Sequence, residues 1–253
     1  MGWGTLNMQY EHLFGIHAIN TVLKRDPKRV QRILILKGRN DERMQGLFET
    51  AMSHKIQVEQ VTKRELEGLV EGGVHQGVVA FCKPIPTRNE KYLEQLLDSL
   101  DEPPFLLVLD GVTDPHNLGA CLRTADAAGV QAVIAPKDKS APLNATAAKV
   151  ACGAAEAIPY ILVTNLARTL KSLQQRGIWT TGTAGETDLD VYQANLSGPM
   201  ALIMGAEGQG MRRLTREHCD QLVKIPMAGE VSSLNVSVAT GICLFESVRQ
   251  RSS

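Results

Sequence analysis

The sequence lacks any long apolar run. No uncharged apolar stretch approaches the roughly 18 residues of a membrane-spanning helix, and uncharged windows such as 231–245 are interrupted by Ser, Asn, Thr and Gly. The N-terminal residues lack a basic region followed by an apolar one, so no signal peptide is predicted. We therefore expect a cytoplasmic protein without membrane contact, whose natural start is Met8.

Cysteine is scarce and scattered. The closest two of the five cysteines are 24 residues apart, and no CxxC or other short metal-binding spacing occurs. Neither structural zinc nor another metal is expected, and the thiols are predicted to be reduced and buried. The five are Cys82, Cys121, Cys152, Cys219 and Cys243.

Net charge is also absent, because 27 basic residues balance 27 acidic ones. This balance indicates no particular partner. One local exception is a basic cluster near the N-terminus with a single acid, Asp26, inside it. The cluster could bind RNA phosphates, or it could be a solvated helix end whose cations suit the helix dipole. Its cations are Lys24, Arg25, Lys28, Arg29 and Arg32.

Helix and strand patterns alternate along the chain. Residues 9–83 read as a small α/β domain, and the segment KPIPTRN at 83–89 is typical of a linker. We assign 84–104 to this linker and a connecting helix. Over 105–253, apolar strands alternate with helices, which predicts a mostly parallel sheet with helices on both faces.

The second part has one predicted helix near its start and another at its end. The helix predicted at 117–128 has Asn117 as a candidate N-cap. The last helix, predicted at 234–250, carries Val238, Ile242 and Phe245 on one face.

Four strands of the second part are followed by loops rich in Gly, Ser and Asn, at 110–119, 182–186, 204–210 and 225–235. Ligands of parallel sheets gather at the carboxyl ends of strands, and glycine lets a backbone approach a ligand closely. Four such loops therefore predict a binding site at one edge of the sheet.

Familiar nucleotide and hydrolase motifs do not explain this site. The segment GAEGQG at 205–210 has glycines spaced for a phosphate loop, but Met211-Arg212 replaces the required Lys-Ser/Thr. No G-x-S-x-G, S-x-x-K or H-E-x-x-H sequence occurs. Hydrolysis of nucleotides or esters is therefore disfavoured.

Three segments in order carry a resemblance: NLGACLRTA at 117–125, GAEGQG at 205–210 and SSLNVS at 232–237. They resemble the three motifs of the SpoU branch of the SPOUT RNA methyltransferases. The likeness extends from about residue 14 to residue 251. Across this range, the sequence is most similar to the family members that methylate guanosine in bacterial 23S ribosomal RNA.

The resemblance implies a fold and a function. The N-terminal part would be a ribosomal-protein-like RNA-binding domain, and the C-terminal sheet would contain a deep trefoil knot that holds S-adenosylmethionine. The expected reaction is methylation of a guanosine ribose 2′-hydroxyl in the peptidyl-transferase P-site loop of 23S rRNA, by a homodimer. Two alternatives stay open: a relative acting on tRNA or another rRNA loop, and a noncatalytic RNA-binding assembly factor.

The resemblance also assigns roles to residues. Arg123 would lie near the reactive hydroxyl, where its charge would hold a phosphate and lower the hydroxyl's pKa, since arginine keeps its own proton. Glu207 would fix Arg123 or Asn235 by hydrogen bonds. Asn235 and Ser233 would line the substrate side of the cofactor, although both could simply cap the last helix. The expected catalytic residues are Asn117, Arg123, Glu207, Ser233 and Asn235.

The cofactor's adenosine is expected to meet backbone groups and small apolar side chains. Ile225 and Leu234 would sandwich the base. The expected cofactor-binding residues are Thr183, Ala184, Gly185, Gly205, Ile225, Met227 and Leu234.

Overall fold

The computed structural model describes residues 10–39, 41–70 and 73–252 and divides into two compact units. The N-terminal unit comprises the described residues up to Pro86 together with Asn144–Ala157. The C-terminal unit comprises Thr87–Leu143 and the chain from Ile158 onwards. The expected start at Met8 lies outside the described residues.

The elements alternate as the sequence pattern predicts. In the N-terminal half of the chain they are β1 (Glu11–Phe14), α1 (Ile16–Arg25), a 3-10 turn (Pro27–Arg29), β2 (Val30–Leu36), α2 (Glu42–Ser53), β3 (Gln57–Val61), α3 (Lys63–Glu67), β4 (Val78–Cys82) and α4 (Glu90–Ser99). They continue with β5 (Phe105–Asp110), α5 (Pro115–Ala127), β6 (Ala132–Pro136), α6 (Ala145–Ala151), α7 (Ala154–Ala157), β7 (Tyr160–Val163) and α8 (Leu166–Gln175). The last are β8 (Trp179–Thr183), β9 (Met200–Gly205), α9 (Arg213–Glu217), β10 (Gln221–Val223) and α10 (Val236–Arg251).

The N-terminal unit is built on a four-stranded sheet in the order β1-β4-β2-β3. The β2–β3 pair is parallel, whereas β4 runs antiparallel to both β1 and β2. On α1, Ile19, Val22 and Leu23 are fully buried at helical spacing and join the core that packs the sheet against α2. The capping box at α3 is present, since Thr62 N donates to Glu65 Oε2 at 2.7 Å and Glu65 N donates to Thr62 Oγ1 at 3.4 Å.

The basic cluster makes several intramolecular contacts. Arg29 is 8% exposed, forms an ion pair with Glu156 and donates to the carbonyl of Lys83. Arg25 donates to the carbonyl of Ala157 at 3.2 Å, and Arg32 lies 4.2 Å from the ring centre of Phe81. These contacts involve three of the five cations, and the burial of Arg29 against Glu156 contradicts both interpretations for that residue, which is neither solvated nor exposed to RNA.

The C-terminal unit contains a six-stranded parallel sheet in the order β10-β8-β9-β5-β6-β7. Both β5 and β9 lie in the middle and are almost wholly buried. Helices α4 and α8 join the core on one face, and α10 packs against β9 and α5. The predicted fold class, a mostly parallel sheet with helices, is confirmed. The strand order reverses between β5 and β9, which makes the carboxyl edge there the expected ligand position.

The sequence has an asparagine as a candidate N-cap for both α5 and α10, and the structure confirms only the second. Helix α5 begins at Pro115, and its N-cap is Asp114, whose carboxylate accepts from the backbone N–H groups of His116 and Asn117. The prediction of Asn117 as N-cap was therefore wrong, because proline fits the first helical position and aspartate precedes it. Asn235 does cap α10, accepting from Ser237 N at 2.9 Å.

The thiols follow the prediction only in part. Cys82, Cys121 and Cys243 are buried, and burial raises the pKa of Cys243 to about 12. Cys219 is half-buried, whereas Cys152 is exposed at the left-handed end of α6. The prediction was wrong for Cys152, because it occupies a helix terminus rather than the helix's buried face.

Among the helices that the structure describes, none is long and apolar enough to cross a membrane. Within the same residues, no three His, Cys, Asp or Glu side chains gather closely enough to hold a metal ion.

Candidate functional site

A cavity of about 840 Å³ lies at the carboxyl edge of the parallel sheet. The loops that follow β8, β9 and β10 form its walls, together with the start of α10. All seven residues expected to bind the cofactor line it, as do Glu207 and Ser233. Parallel strands bring these loops together because their carboxyl ends meet at one edge.

One wall is a tight turn that follows β9. Ala206 and Gly210 exchange two backbone hydrogen bonds, of 3.1 and 2.8 Å, and this hairpin places Glu207 at its tip. Gly208 and Gly210 have φ angles of 77° and 67°, which favour glycine. A Cβ on Gly205 would lie 2.2 Å from Met211 N, so only glycine fits at the end of β9.

Three of the five expected catalytic residues meet beside this turn. Asn235 Nδ2 donates to Asn117 Oδ1 at 3.0 Å and to Glu207 Oε2 at 3.3 Å. The amide oxygen of Asn235 accepts from Ser237, so the orientation of the amide is defined at both of its ends. The three side chains come from α5, the β9 turn and the N-cap of α10, which are distant in sequence.

The other two expected catalytic residues lie apart from this contact. Ser233 is exposed in the loop before α10 and faces the cavity. Arg123 lies on the exposed side of α5, outside the group of residues that line the cavity.

Two ion pairs border the cavity. Arg216 at α9 pairs with Glu186 in the loop after β8. Lys224 Nζ lies 3.9 Å from Asp190 Oδ1, and that oxygen is buried without a hydrogen-bond partner among the described residues. The buried oxygen therefore faces the ammonium group of Lys224 rather than the open cavity.

Sequence reasoning did not select Asp110 or Arg212. Asp110 is wholly buried at the end of β5. Its carboxylate accepts from Arg212 N at 2.9 Å and from Arg212 Nε at 2.6 Å. The available signal was an aspartate that ends an otherwise apolar strand, because a buried charge requires a partner.

Two family models match the chain. The model of the SpoU rRNA Methylase family matches residues 104–245. A model described as RNA 2′-O ribose methyltransferase substrate binding matches residues 12–88.

Relatives and solved structures agree with these matches. A protein of Pseudomonas syringae pv. tomato, named 23S rRNA (guanosine-2′-O-)-methyltransferase RlmB, is 62% identical over 96% of this chain and 97% of its own. The protein of that name from Escherichia coli K12 is 61% identical over 96% of this chain and 99% of its own.

The fold is shared with a more distant structure. The SpoU methyltransferase AviRb of Streptomyces viridochromogenes, solved with AdoMet, has a TM-score of 0.79 at 24% identity, covering 98% of this chain and 94% of its own. Fold, motif positions and full-length similarity agree, and the chain belongs to the SpoU rRNA methylase family.

Proposed function

We propose that the protein methylates the ribose 2′-hydroxyl of a guanosine in bacterial 23S rRNA, using S-adenosylmethionine. The names of the relatives at 62% and 61% identity support the reaction and the substrate. The observation that carries the proposal is the contact of Asn117, Glu207 and Asn235 beside a cofactor-sized cavity. We place the target in the peptidyl-transferase P-site loop, as the family resemblance implies.

The cavity fits the cofactor. Its volume falls within the roughly 300–1,000 Å³ typical of small-ligand sites. Ile225 and Leu234 offer apolar surfaces for adenine, while the glycines after β8 and β9 expose backbone groups. When bound, S-adenosylmethionine supplies an electrophilic methyl group on a sulfonium.

The side chains of the site then position the nucleotide. The amide of Asn235 donates to Asn117 and Glu207 and accepts from Ser237, so its own hydrogen-bonding groups are used and it holds the side chains of Asn117 and Glu207 in place beside the ribose. We assign Arg123 to the substrate phosphate, where its charge favours loss of the hydroxyl proton. Arginine holds its own proton, so the proton passes to water or to a substrate phosphate oxygen.

We assign RNA binding and catalysis to different parts of the chain. We assign RNA binding to residues 9–83, connection to 84–104 and catalysis to 105–253. The substrate-binding family match over 12–88 and the methylase match over 104–245 support this division.

We further propose that the active form is a homodimer and that the C-terminal segment is knotted. Helix α10 carries Val238 and Phe245 with half of each side chain exposed, and a second copy would cover them. The chain before β9 contacts the end of α10, where Leu196 N donates to Gln250 Oε1 at 2.8 Å. Such a crossing is compatible with a threaded C-terminus.

The test is methyl transfer from labelled S-adenosylmethionine to unmodified 23S rRNA, with mapping of the methylated ribose. Arg123→Ala should lower kcat by at least about 100-fold, because a charge-assisted contact to the substrate is lost, while cofactor binding is retained. Arg168→Ala is the matched control, since Arg168 is an exposed arginine on α8.

The outcomes separate the alternatives. Methylation of one guanosine in the P-site loop supports the whole proposal. Transfer to tRNA alone would overturn the substrate but keep the reaction. Cofactor binding without transfer to rRNA, ribosomal precursors or tRNA would favour an assembly factor.

A further inference from the structure

The turn after β9 begins and ends beside the same residue, Asp110. Its backbone pairs with Gly205 in the β5–β9 ladder, where the turn starts. Its side chain accepts both hydrogen bonds of Arg212, where the turn ends. The chain from Gly205 to Arg212 is therefore a loop closed by one residue, through the backbone of Asp110 at its start and the carboxylate of Asp110 at its end.

The closing contact is a charged one. Asp110 is fully buried, and the side chain of Arg212 is 44% exposed. A buried carboxylate is costly unless it is paired and hydrogen-bonded. The backbone N–H and the guanidinium of Arg212 supply that pairing together, so releasing Arg212 would leave Asp110 with an uncompensated charge.

The closed loop carries parts of the proposed site. Gly205 and Met211 form part of the cavity wall. Between them, the Ala206–Gly210 hairpin holds Glu207, whose carboxylate accepts from Asn235. A shift of Arg212 would therefore move both the cavity wall and the partner of Asn235.

We infer that Asp110 and Arg212 are positioning residues for methyl transfer, which hold the 205–212 loop in the geometry that receives the cofactor and orients Asn235. The inference rests on the proposed function, because it assigns these residues to the same site. Neither residue lines the cavity, so both act through the loop.

A second carboxylate in the same unit makes a useful comparison. Asp220 accepts from Thr180 N at 2.8 Å and from Thr180 Oγ1 at 2.7 Å. It also accepts from Gln174 Nε2 at 3.0 Å, so its side chain makes one hydrogen bond more than that of Asp110, and it lies outside the cavity-lining group. Asp220→Asn measures the effect of a general loss of stability.

The test compares Asp110→Asn, Arg212→Gln and their double variant with Asp220→Asn in the full-length protein. Binding of S-adenosylmethionine is measured by calorimetry without RNA, and kcat and KM are measured with 23S rRNA. A further control is Arg213→Gln, which removes only an exposed pair with Glu217. Melting temperatures show whether each variant is folded.

We expect each single variant to weaken cofactor binding by about tenfold and to lower kcat by about 10–100-fold, the range for losing a charged hydrogen bond. The KM for RNA should stay within about twofold, because Asp110 and Arg212 are not assigned to RNA binding. The double variant should be no worse than the poorer single variant, since both substitutions break one contact. Asp220→Asn and Arg213→Gln should retain normal cofactor binding.

Additive losses in the double variant, or equal losses in Asp220→Asn at matched melting temperature, would overturn the inference. So would unchanged binding and kcat in folded Asp110→Asn. Failure of the proposed function is recognised separately, because the unsubstituted protein would then bind cofactor without methylating RNA. In that case, selective loss of cofactor binding in the two variants would still support the positioning role.

Discussion

Gly205 illustrates, at the residue scale, how closely the backbone packs beside the cavity. The nearest atoms to a Cβ placed there are backbone atoms of Gly210 and Met211, which cannot move aside as a flexible side chain can. Its neighbours in the turn, Gly208 and Gly210, are needed for another reason, their positive φ angles. The glycine-rich motif therefore contains two distinct requirements, one of space and one of conformation.

Gly205→Ala should destabilise the fold by about 1–3 kcal/mol, the usual cost of overpacking, and should reduce S-adenosylmethionine binding further because the turn is displaced. Gly198→Ala is the matched control, since a Cβ there meets open space. Denaturant unfolding and calorimetric titration measure the two effects. Normal cofactor binding in a folded Gly205→Ala variant would contradict the assigned role of the turn.

At the scale of the element, α10 links the site to the far end of the unit. Its first residue follows the N-cap Asn235, which contacts Asn117 and Glu207. Near its last turn, Gln250 bonds both Leu196 N and Ala194 O. The helix is thus held at both ends by distant parts of the chain, and its position determines where the Asn235 amide lies.

The end of α10 should make stability depend on acid pH. Hydrogen bonds from Arg249 and Gln250 lower the pKa of Glu246 from 4.5 to about 2. Because the folded pKa lies below the unfolded one, this carboxylate stabilises the fold above about pH 4.5, and the contribution disappears as the pH falls towards 2. Glu246→Gln should lower the melting temperature at pH 7 and reduce its decline between pH 5 and pH 3.

The exposed Glu102→Gln variant controls for loss of a carboxylate in general. Equal melting temperatures of Glu246→Gln and the unsubstituted protein at pH 7 would argue against a stabilising role for Glu246.

At the scale of the whole molecule, the C-terminal unit leaves apolar surface on a helix that also supports the site. Val238 is 52% exposed and Phe245 is 50% exposed, although the helix is buried on its other side by Cys243 and Leu244. Exposed apolar side chains grouped on one helix are a feature of protein interfaces. A second copy of the chain is the partner that we propose.

Phe245→Asp and Val238→Asp should convert the proposed dimer into a monomer, because a carboxylate would have to be buried at the interface. Tyr192→Asp is the control, since Tyr192 is equally exposed elsewhere in the unit. Sedimentation equilibrium gives the oligomeric state. A monomeric unsubstituted protein, or a dimer that survives both substitutions, would refute the proposed interface.

Much of the architecture is determined by the sequence itself, because its signals are local. The alternation of apolar strands with helices over 105–253 predicted the parallel sheet, and the last helix predicted at 234–250 corresponds to α10. The loops after parallel strands predicted one shared site, and residues of three of the four loops line one cavity, whereas none from 110–119 does. The motifs also identified the family.

Only the tertiary structure decided which distant residues meet. Asn117 and Asn235 lie 118 positions apart, and Asp110 and Arg212 lie 102 apart, so no local pattern relates them. The same reason applies to Arg29, which looked like part of a solvated basic cluster and is buried against Glu156. Local patterns determine elements, whereas the partner of a polar or charged side chain depends on how those elements pack.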